Sequence, residues 1–215
     1  MITGVKVIIA YAIFESGAIK FGGFKLKLHE KNPKAPLSPI YLNLRVMEND
    51  GPLLPSQVNM IGYKMYSLLK QKGVSYDLVA GIPKAGDPFA EAICYDSKTP
   101  LLRLNKKVEN GVRRIDSIIE GAYNFGQRVL LVDDLITQAD TKKEAIAVCE
   151  KAGLIVAGLV VIVDREQGGS EELKTEGYNV YSLFTLSELL DFYVSREMIP
   201  SLTRDEVLSY IKYNR

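Results

Sequence analysis

The chain has 215 residues, of which 47% are apolar and 25% are charged, and its formal net charge at pH 7 is +1. This composition is ordinary for a globular protein, and the length is enough to bury a core without disulfides or metals. Lysine and arginine are spread along the sequence, which argues against nucleic acid as a partner. We therefore expect a single domain over residues 1–215.

The chain contains two cysteines, Cys94 and Cys149, and one histidine, His29, without the spacing of a metal site. Both cysteines fall in apolar, helix-like stretches, so we expect reduced core thiols and a cytoplasmic protein. The apolar run 5–14 is too short to cross a membrane. It also lacks the basic leader and the cleavage site of a signal peptide. A buried helix is therefore predicted there, and a membrane partner is not expected.

Short apolar runs alternate with amphipathic segments along the chain. The predicted strands cover residues 24–27, 40–45, 78–82, 101–104, 128–132 and 159–163. After the helix at 5–14, the predicted helices cover residues 57–73, 87–95, 141–152 and most of 186–213. Residues 106–117 are polar and have no clear period, which predicts a long surface loop. This alternation predicts an α/β fold with a mostly parallel sheet.

The segment 128–153 is the most informative part of the sequence. Its apolar strand runs into two adjacent acids, Asp133 and Asp134, and then into a short polar loop. Thr141 and Glu144 have the spacing of a capping box, which predicts the start of a helix. Gly153 is the residue type expected just after the end of that helix.

This arrangement indicates a ligand. Open parallel sheets bind ligands beyond the carboxyl ends of their strands, and helix N-termini bind phosphate. Two carboxylates would repel a phosphate, but they can accept hydrogen bonds from the vicinal hydroxyls of a sugar and can face a cationic transition state. The pattern therefore predicts a phosphorylated sugar as the ligand. Alone, it also fits a doubly wound sheet that ends in two solvated acids.

Six stretches, in the same order and with similar spacing, extend the pattern from about residue 14 to residue 169. They cover residues 21–27, 38–45, 81–90, 119–121, 129–137 and 164–169. Together they resemble the type I phosphoribosyltransferase family, in its orotate phosphoribosyltransferase branch. The resemblance implies that fold: a central, mostly parallel sheet flanked by helices. It also implies a small N-terminal hood over about residues 1–50 and a core from about residue 55.

The resemblance also implies a reaction. In it, N1 of orotate displaces pyrophosphate from 5-phosphoribosyl 1-pyrophosphate (PRPP). The cofactor would be Mg²⁺, brought by PRPP close to the acid pair and without direct protein ligands. Asp133 and Asp134 would hold the ribose hydroxyls and face the cationic ring, and Lys27 would lie near PRPP. The 5′-phosphate would be wrapped by Thr137, Gln138, Ala139, Asp140 and Thr141.

Arg165 is the residue that the resemblance places against the base. Orotate carries a carboxylate, and a guanidinium recognises a carboxylate with two parallel hydrogen bonds. Purine bases lack that group. The alternative is a surface ion pair between Arg165 and either Asp164 or Glu166.

Basic residues cluster before and within the predicted loop at 106–117. They are Arg103, Lys106, Lys107, Arg113 and Arg114. In the family this loop closes over pyrophosphate and reaches into the partner subunit, which implies a homodimer. Lys107 matches the loop's catalytic lysine, and Lys84 would supply a further cation to the pyrophosphate. The alternative is a solvated run of charges.

The phosphate loop departs from the family, whose members usually have small residues, commonly with glycine, after the first threonine. Ala139 would strain the turn if its φ were positive. The Asp140 carboxylate would repel a phosphate at close range. Asp140 could point outward, cap the helix in place of Thr141, or occupy the anion site itself.

Three functions are consistent with these observations. The first is orotate phosphoribosyl transfer. The second is phosphoribosyl transfer to a different base. The third is a catalytically inactive paralogue that senses a nucleotide or binds another protein. The acids Asp133 and Asp134 favour the first two, and Asp140 favours the third.

Overall fold

A computed structural model describes residues 2–25, 34–109 and 112–213. Its centre is a six-stranded sheet in the order β5-β4-β3-β6-β7-β8. All neighbouring strands are parallel except β4 and β5, which are antiparallel. These strands are β3 (Leu78–Gly81), β4 (Leu101–Glu109), β5 (Val112–Glu120), β6 (Arg128–Ile136), β7 (Ile155–Asp164) and β8 (Val180–Thr185). The predicted α/β fold with a mostly parallel sheet is confirmed.

Helices cover both faces of this sheet. Their bounds are α1 (Val5–Glu15), α2 (Pro55–Gln71), α3 (Asp87–Ser97), α4 (Asp140–Lys151), α5 (Gly169–Thr175), α6 (Leu186–Ser195) and α7 (Ser201–Tyr213). Alternate residues of β6 enter two separate cores: Leu130 and Val132 pack with α1, α2, α3, α6 and α7, whereas Val129 and Leu131 pack with α4 and α5. Central strands that are buried on both faces are therefore almost entirely apolar.

The N-terminal hood is a two-stranded antiparallel sheet of β1 (Ile19–Phe24) and β2 (Ser38–Leu42). It is tied to the body through apolar residues of β2, since Ile40 and Leu42 belong to the same core as α1 and α2. Lys27 and His29 lie outside the described residues.

The predicted surface loop at 106–117 is wrong where the structure describes it. Residues on both sides of positions 110–111 continue β4 and β5 as an antiparallel pair, with Lys107 opposite Arg114 and Asn105 opposite Ser117. Polar pairs join the two strands, since Asn105 and Lys107 both contact the Asp116 carboxylate. Cross-strand polar contacts stabilise a hairpin without the apolar alternation by which a strand is usually recognised.

The predicted capping box of α4 is also wrong. The helix begins one residue earlier, at Asp140, and its N-cap Ala139 makes no side-chain hydrogen bond. The Glu144 carboxylate instead accepts the amide of Ile115 at 3.0 Å, so it satisfies a donor of the edge strand β5.

Two elements that sequence patterns did not reveal, α5 and β8, complete the C-terminal side of the sheet.

The apolar run near the N-terminus forms α1, as predicted, and buries Ile9, Ala10 and Ile13. Within the described ranges, no helix combines the length and the apolar character needed to span a membrane.

Close main-chain packing holds the loop after β3 against the end of β6. The amide of Ile82 donates to the carbonyl oxygen of Val132 at 2.8 Å. A Cβ atom at Gly86 would overlap that same carbonyl oxygen and lie 3.0 Å from Cα of Asp133. Only glycine therefore allows this loop to approach the two acids so closely.

We predict that Gly86→Ala destabilises the fold by about 3 kcal/mol, the upper part of the range for overpacking, because its new contacts are to main chain. Urea unfolding measures this change. Gly73→Ala is the control: Gly73 has a φ of +67°, and a Cβ atom added there would meet nothing within 4 Å. Only the left-handed backbone conformation is therefore penalised in the control, by about 1 kcal/mol. Equal losses in the two variants would contradict the packing argument.

Candidate active site

The two adjacent acids lie at the carboxyl end of β6, in the middle of the sheet. Asp133 is buried and Asp134 is half-buried. The Asp134 amide donates to Oδ1 of Asp133 at 2.9 Å, and the Leu135 amide donates to Oδ1 of Asp134 at 2.8 Å. These local bonds fix both carboxylates near the end of β6, just before the loop that leads to α4.

A buried lysine contacts the first acid. Nζ of Lys142 lies 2.8 Å from Oδ2 of Asp133, and the two side chains are only 9% and 6% exposed. Lys142 shares the buried face of α4 with Ala145, Ile146 and Cys149. This spacing is the helical period, so the backbone of α4 directs the lysine inward.

The two acids and Lys142 line a cavity of about 750 Å³. Its walls come from the hood, from the loop after β3 and from the β4–β5 hairpin. The polar lining residues include Asn43, Arg45, Glu48, Asp50, Lys84, Lys106 and Thr141. A cavity of this size, at the carboxyl ends of parallel strands, is suited to a nucleotide-sized ligand.

Two of the predicted pyrophosphate ligands lie in this cavity. Lys106 donates from Nζ to the carbonyl oxygen of Pro83 at 3.0 Å, so the hairpin is attached to the loop that carries Lys84. A second cavity, of about 1020 Å³, is also lined by Pro83, Lys84 and Lys106, and by Arg103. Arg103 forms ion pairs with Glu91 and Glu120 at 2.8 and 3.3 Å. The substrate-binding role of Arg103 stays a prediction.

The predicted phosphate loop reaches this cavity only through its last residue. Thr141 lines the cavity, whereas Thr137, Gln138, Ala139 and Asp140 are not among the lining residues. Ala139 has a φ of −87° and is unstrained. The Asp140 side chain is exposed in the first turn of α4, where an acid interacts favourably with the helix dipole.

Arg165 is buried at the end of β7, the strand beside β6, and is 6% exposed. Its Nε and Nη2 atoms have no hydrogen-bond partner among the described residues. Burial lowers the pKa of Arg165. The carboxylates of its two neighbours bind elsewhere: Asp164 accepts the Glu166 amide, and Glu166 accepts the amide and hydroxyl of Ser187. A surface ion pair therefore does not describe Arg165, although the residue does not line the acid-pair cavity.

The remaining predicted residues are spread apart. Lys107, the predicted catalytic lysine, is exposed and pairs with Asp116 at 2.9 Å, away from the acids. Arg114 is exposed on β5, and no side chain is described for Arg113. Lys27 is outside the described residues. The roles of these residues stay predictions.

Sequence reasoning missed the cavity residue that matters most, Lys142. The signal for it was present, since the apolar period of α4 includes position 142 and leaves position 143 outside. Lys143 indeed faces outward and forms ion pairs with Glu172 of α5 and with Glu176, the residue just after that helix. The hood residues Asn43 and Arg45 carried no comparable signal, because only the tertiary fold brings them to the cavity.

Two carboxyl groups near the cavities have raised pKa values. Burial, and next the Asp133 carboxylate, raise the pKa of Asp134 to about 7, although Lys142 acts against this shift. Burial raises the pKa of Asp87, in the first turn of α3, to about 6, and Arg103 acts against it. Perturbed carboxyl groups in a cavity are typical of functional sites.

The described residues offer poor coordination for Mg²⁺. They contain no group of three or more histidine, cysteine or acidic side chains that could hold a metal ion. Mg²⁺ requires oxygen ligands in octahedral geometry, and one oxygen of Asp133 already contacts an ammonium group. The acid pair therefore does not fit a protein-held Mg²⁺ ion.

Fold and site together define a class. A parallel sheet whose central strand ends in two acids, followed by a loop, a helix and an overlying hood, has the organisation of a type I phosphoribosyltransferase. No family model matches the sequence, but individual relatives do. The chain is 32% identical to an orotate phosphoribosyltransferase from Pyrococcus abyssi, over 83% of this chain and 92% of that protein. The chain belongs to the orotate phosphoribosyltransferase family.

Larger proteins contain a similar region. The chain is 31% identical to a uridine 5′-monophosphate synthase from Bos taurus, over 94% of this chain but only 40% of that protein. The solved structure of the Leishmania donovani UMP synthase superposes with a TM-score of 0.79 and 30% identity, over 98% of this chain and 43% of the other. The chain thus spans less than half the length of these two relatives.

We predict that Asp133→Asn destabilises the fold by about 3–5 kcal/mol, because it leaves the Lys142 ammonium buried without a counter-charge. Urea unfolding at pH 7 measures this loss. Asp116→Asn is the matched control, since it breaks a lysine–aspartate pair of similar length on the surface. Exposed pairs contribute little, so the control should lose far less. Similar losses would show that burial of the Lys142–Asp133 pair is unimportant.

We predict that Asp134 makes stability depend on pH between about 4 and 7. The folded protein keeps the Asp134 proton up to about pH 7, whereas the ordinary pKa is 3.8. The folded state binds more protons in this window, so the free energy of unfolding falls as pH rises through it. Asp134→Asn removes this contribution and keeps the oxygen that accepts the Leu135 amide.

Urea unfolding at pH 4.5 and 7.5 tests this prediction. The Asn variant should gain stability relative to the wild type between the lower and the higher pH. Asp116→Asn should show almost no change between these two pH values, because contacts with Lys107 lower the pKa of Asp116 below its ordinary value of 3.8 and so outside this window. An unchanged difference between wild type and Asp134→Asn at the two pH values would refute the assignment.

Proposed function

We propose that this chain catalyses phosphoribosyl transfer from PRPP to orotate, which gives orotidine monophosphate and pyrophosphate for pyrimidine nucleotide synthesis. The observation that carries the proposal is the pair Asp133 and Asp134 in a cavity with three lysines, on a chain of the orotate phosphoribosyltransferase family. A pair of adjacent carboxyl groups suits sugar hydroxyls and a developing cation, while lysines at the cavity walls suit phosphate groups.

In the proposed reaction the bond between C1 of ribose and the pyrophosphate oxygen breaks, and the bond to N1 of orotate forms. Positive charge develops on the ribose ring while the leaving group becomes more negative. Asp133 and Asp134 would face the positive ring and accept hydrogen bonds from the ribose hydroxyls. Lys84 and Lys106 would bind the leaving pyrophosphate. Preorganised charges of this kind lower the barrier without a covalent intermediate.

Arg165 supports orotate as the base. Its buried guanidinium has two nitrogen atoms without a hydrogen-bond partner among the described residues, and an unpaired buried donor is costly. The carboxylate of orotate would supply the missing acceptors with two parallel hydrogen bonds. Because Arg165 does not line the acid-pair cavity, the base would have to reach it by a rearrangement of neighbouring residues.

The proposal also includes a metal ion, a homodimer and a cellular compartment. Mg²⁺ would arrive with the pyrophosphate of PRPP, since the acid pair does not fit the ion. A homodimer is supported by exposed apolar residues beside the second cavity, where Tyr63, Tyr95 and Ile119 are 53%, 76% and 61% exposed. Two unpaired thiols, Cys94 and Cys149, are consistent with a reducing cytoplasm.

A direct test is the release of pyrophosphate from PRPP with orotate and Mg²⁺, with uracil as a second base that lacks the carboxylate. We predict that Arg165→Ala lowers kcat/KM for orotate about 10- to 100-fold, the loss expected for a hydrogen bond between charged groups. Turnover of uracil should change little. The matched control, Arg204→Ala, removes an exposed guanidinium paired with Asp191 and Asp205 and should leave both rates unchanged.

Other outcomes separate the remaining functions. Unchanged turnover of orotate by a folded Arg165→Ala variant would refute the role of Arg165 alone. Activity with another base and none with orotate would indicate a different phosphoribosyltransferase. No turnover with any base, together with stabilisation by a nucleotide, would indicate an inactive paralogue.

A further inference from the structure

Lys142 stands in an unfavourable position for a cation. It is buried, and it lies in the first turn of α4, where the partial positive charge of the helix N-terminus repels an ammonium group. Burial of a charge requires a close partner. The compensation comes from Asp133, whose Oδ2 lies 2.8 Å from Nζ. The contact with Asp133 therefore offsets both the burial of the ammonium group and its unfavourable place at the helix N-terminus.

With this contact, both oxygens of the Asp133 carboxylate have a partner. Oδ2 faces Lys142, and Oδ1 accepts the Asp134 amide at 2.9 Å. Both oxygens thus have a donor or cation before any ligand binds. Lys142 and both acids border the same cavity, so the ammonium group lies where a cation bridging the two acids would otherwise contact Asp133.

We propose that Lys142 is the resident cation of the acid pair. It is a positioning residue that holds the Asp133 carboxylate in place, and it excludes a divalent metal ion from Asp133 and Asp134. In the reaction, and here the inference rests on the proposed function, the ribose hydroxyls would meet an acid pair that already carries its cation. Any Mg²⁺ would then serve the pyrophosphate alone.

The charges of the site support this assignment. Two adjacent carboxylates without a cation would repel each other strongly in a buried setting. A single ammonium group balances one of them and cannot dissociate as a metal ion can. The position on the helix decides which lysine contacts Asp133. Lys143, the next residue of the same helix, pairs instead with Glu172 and Glu176 at the surface.

The test is the binding of Mn²⁺, a Mg²⁺ substitute, to the whole chain without substrate, followed by water-proton relaxation. We expect wild type and the matched control Lys143→Met to bind no Mn²⁺ at the acid pair. Lys142→Met should gain one Mn²⁺ site, at least tenfold tighter than any site in the wild type. The double variant Lys142→Met/Asp133→Asn should lose that site. A purely structural lysine would not create a metal site when removed.

Two results would overturn the proposal. One is a Mn²⁺ site in the wild type that Asp134→Asn abolishes, and this measurement decides the matter even if Lys142→Met does not fold. The other is a folded Lys142→Met variant that binds Mn²⁺ no better than wild type. Because no substrate is present, either result leaves pyrophosphate release, and with it the proposed function, to be judged separately.

Discussion

The ion pair between Lys142 and Asp133 joins the two elements from which the site is built, the end of β6 and the start of α4. The strand ends among apolar residues, so its first acid is buried whether or not a ligand is present. A buried carboxylate needs a partner, and the partner comes from the helix that follows directly. The position of Asp133 therefore constrains both the length of the connecting loop and the face of α4 that turns inward.

The same pair organises the charges of the cavity. With Asp133 balanced by Lys142, and Asp134 shifted toward its neutral form, the acids contribute less net negative charge than two free carboxylates would. Lys84 and Lys106 add positive charge to the same cavity. In the proposed reaction, the acids would meet the hydroxyls of the phosphorylated sugar and the lysines its phosphate oxygens.

The sequence predicted those parts that depend on local patterns. The apolar run of β6 placed the acids at a strand end, and the alternation of elements predicted the parallel sheet. It failed where polar contacts or tertiary packing, and not apolar periodicity, decide the structure. The β4–β5 hairpin is held partly by the cross-strand pair Lys107 and Asp116, in a polar segment whose pattern predicts a loop. Burial of Arg165 likewise arises from the tertiary fold, since the sequence around it is polar and equally suits a surface ion pair.

The altered phosphate loop is consistent with this organisation. Ala139 has an ordinary helical φ of −87°, so the turn does not need glycine. Asp140 projects outward, where the helix dipole favours it, and Lys142 projects inward, where Asp133 requires it. The two opposite charges at the start of α4 therefore act on opposite sides of the helix. Asp140, whose charge argues against a phosphate ligand in the sequence, therefore lies outside the cavity, whereas Lys142 lines it.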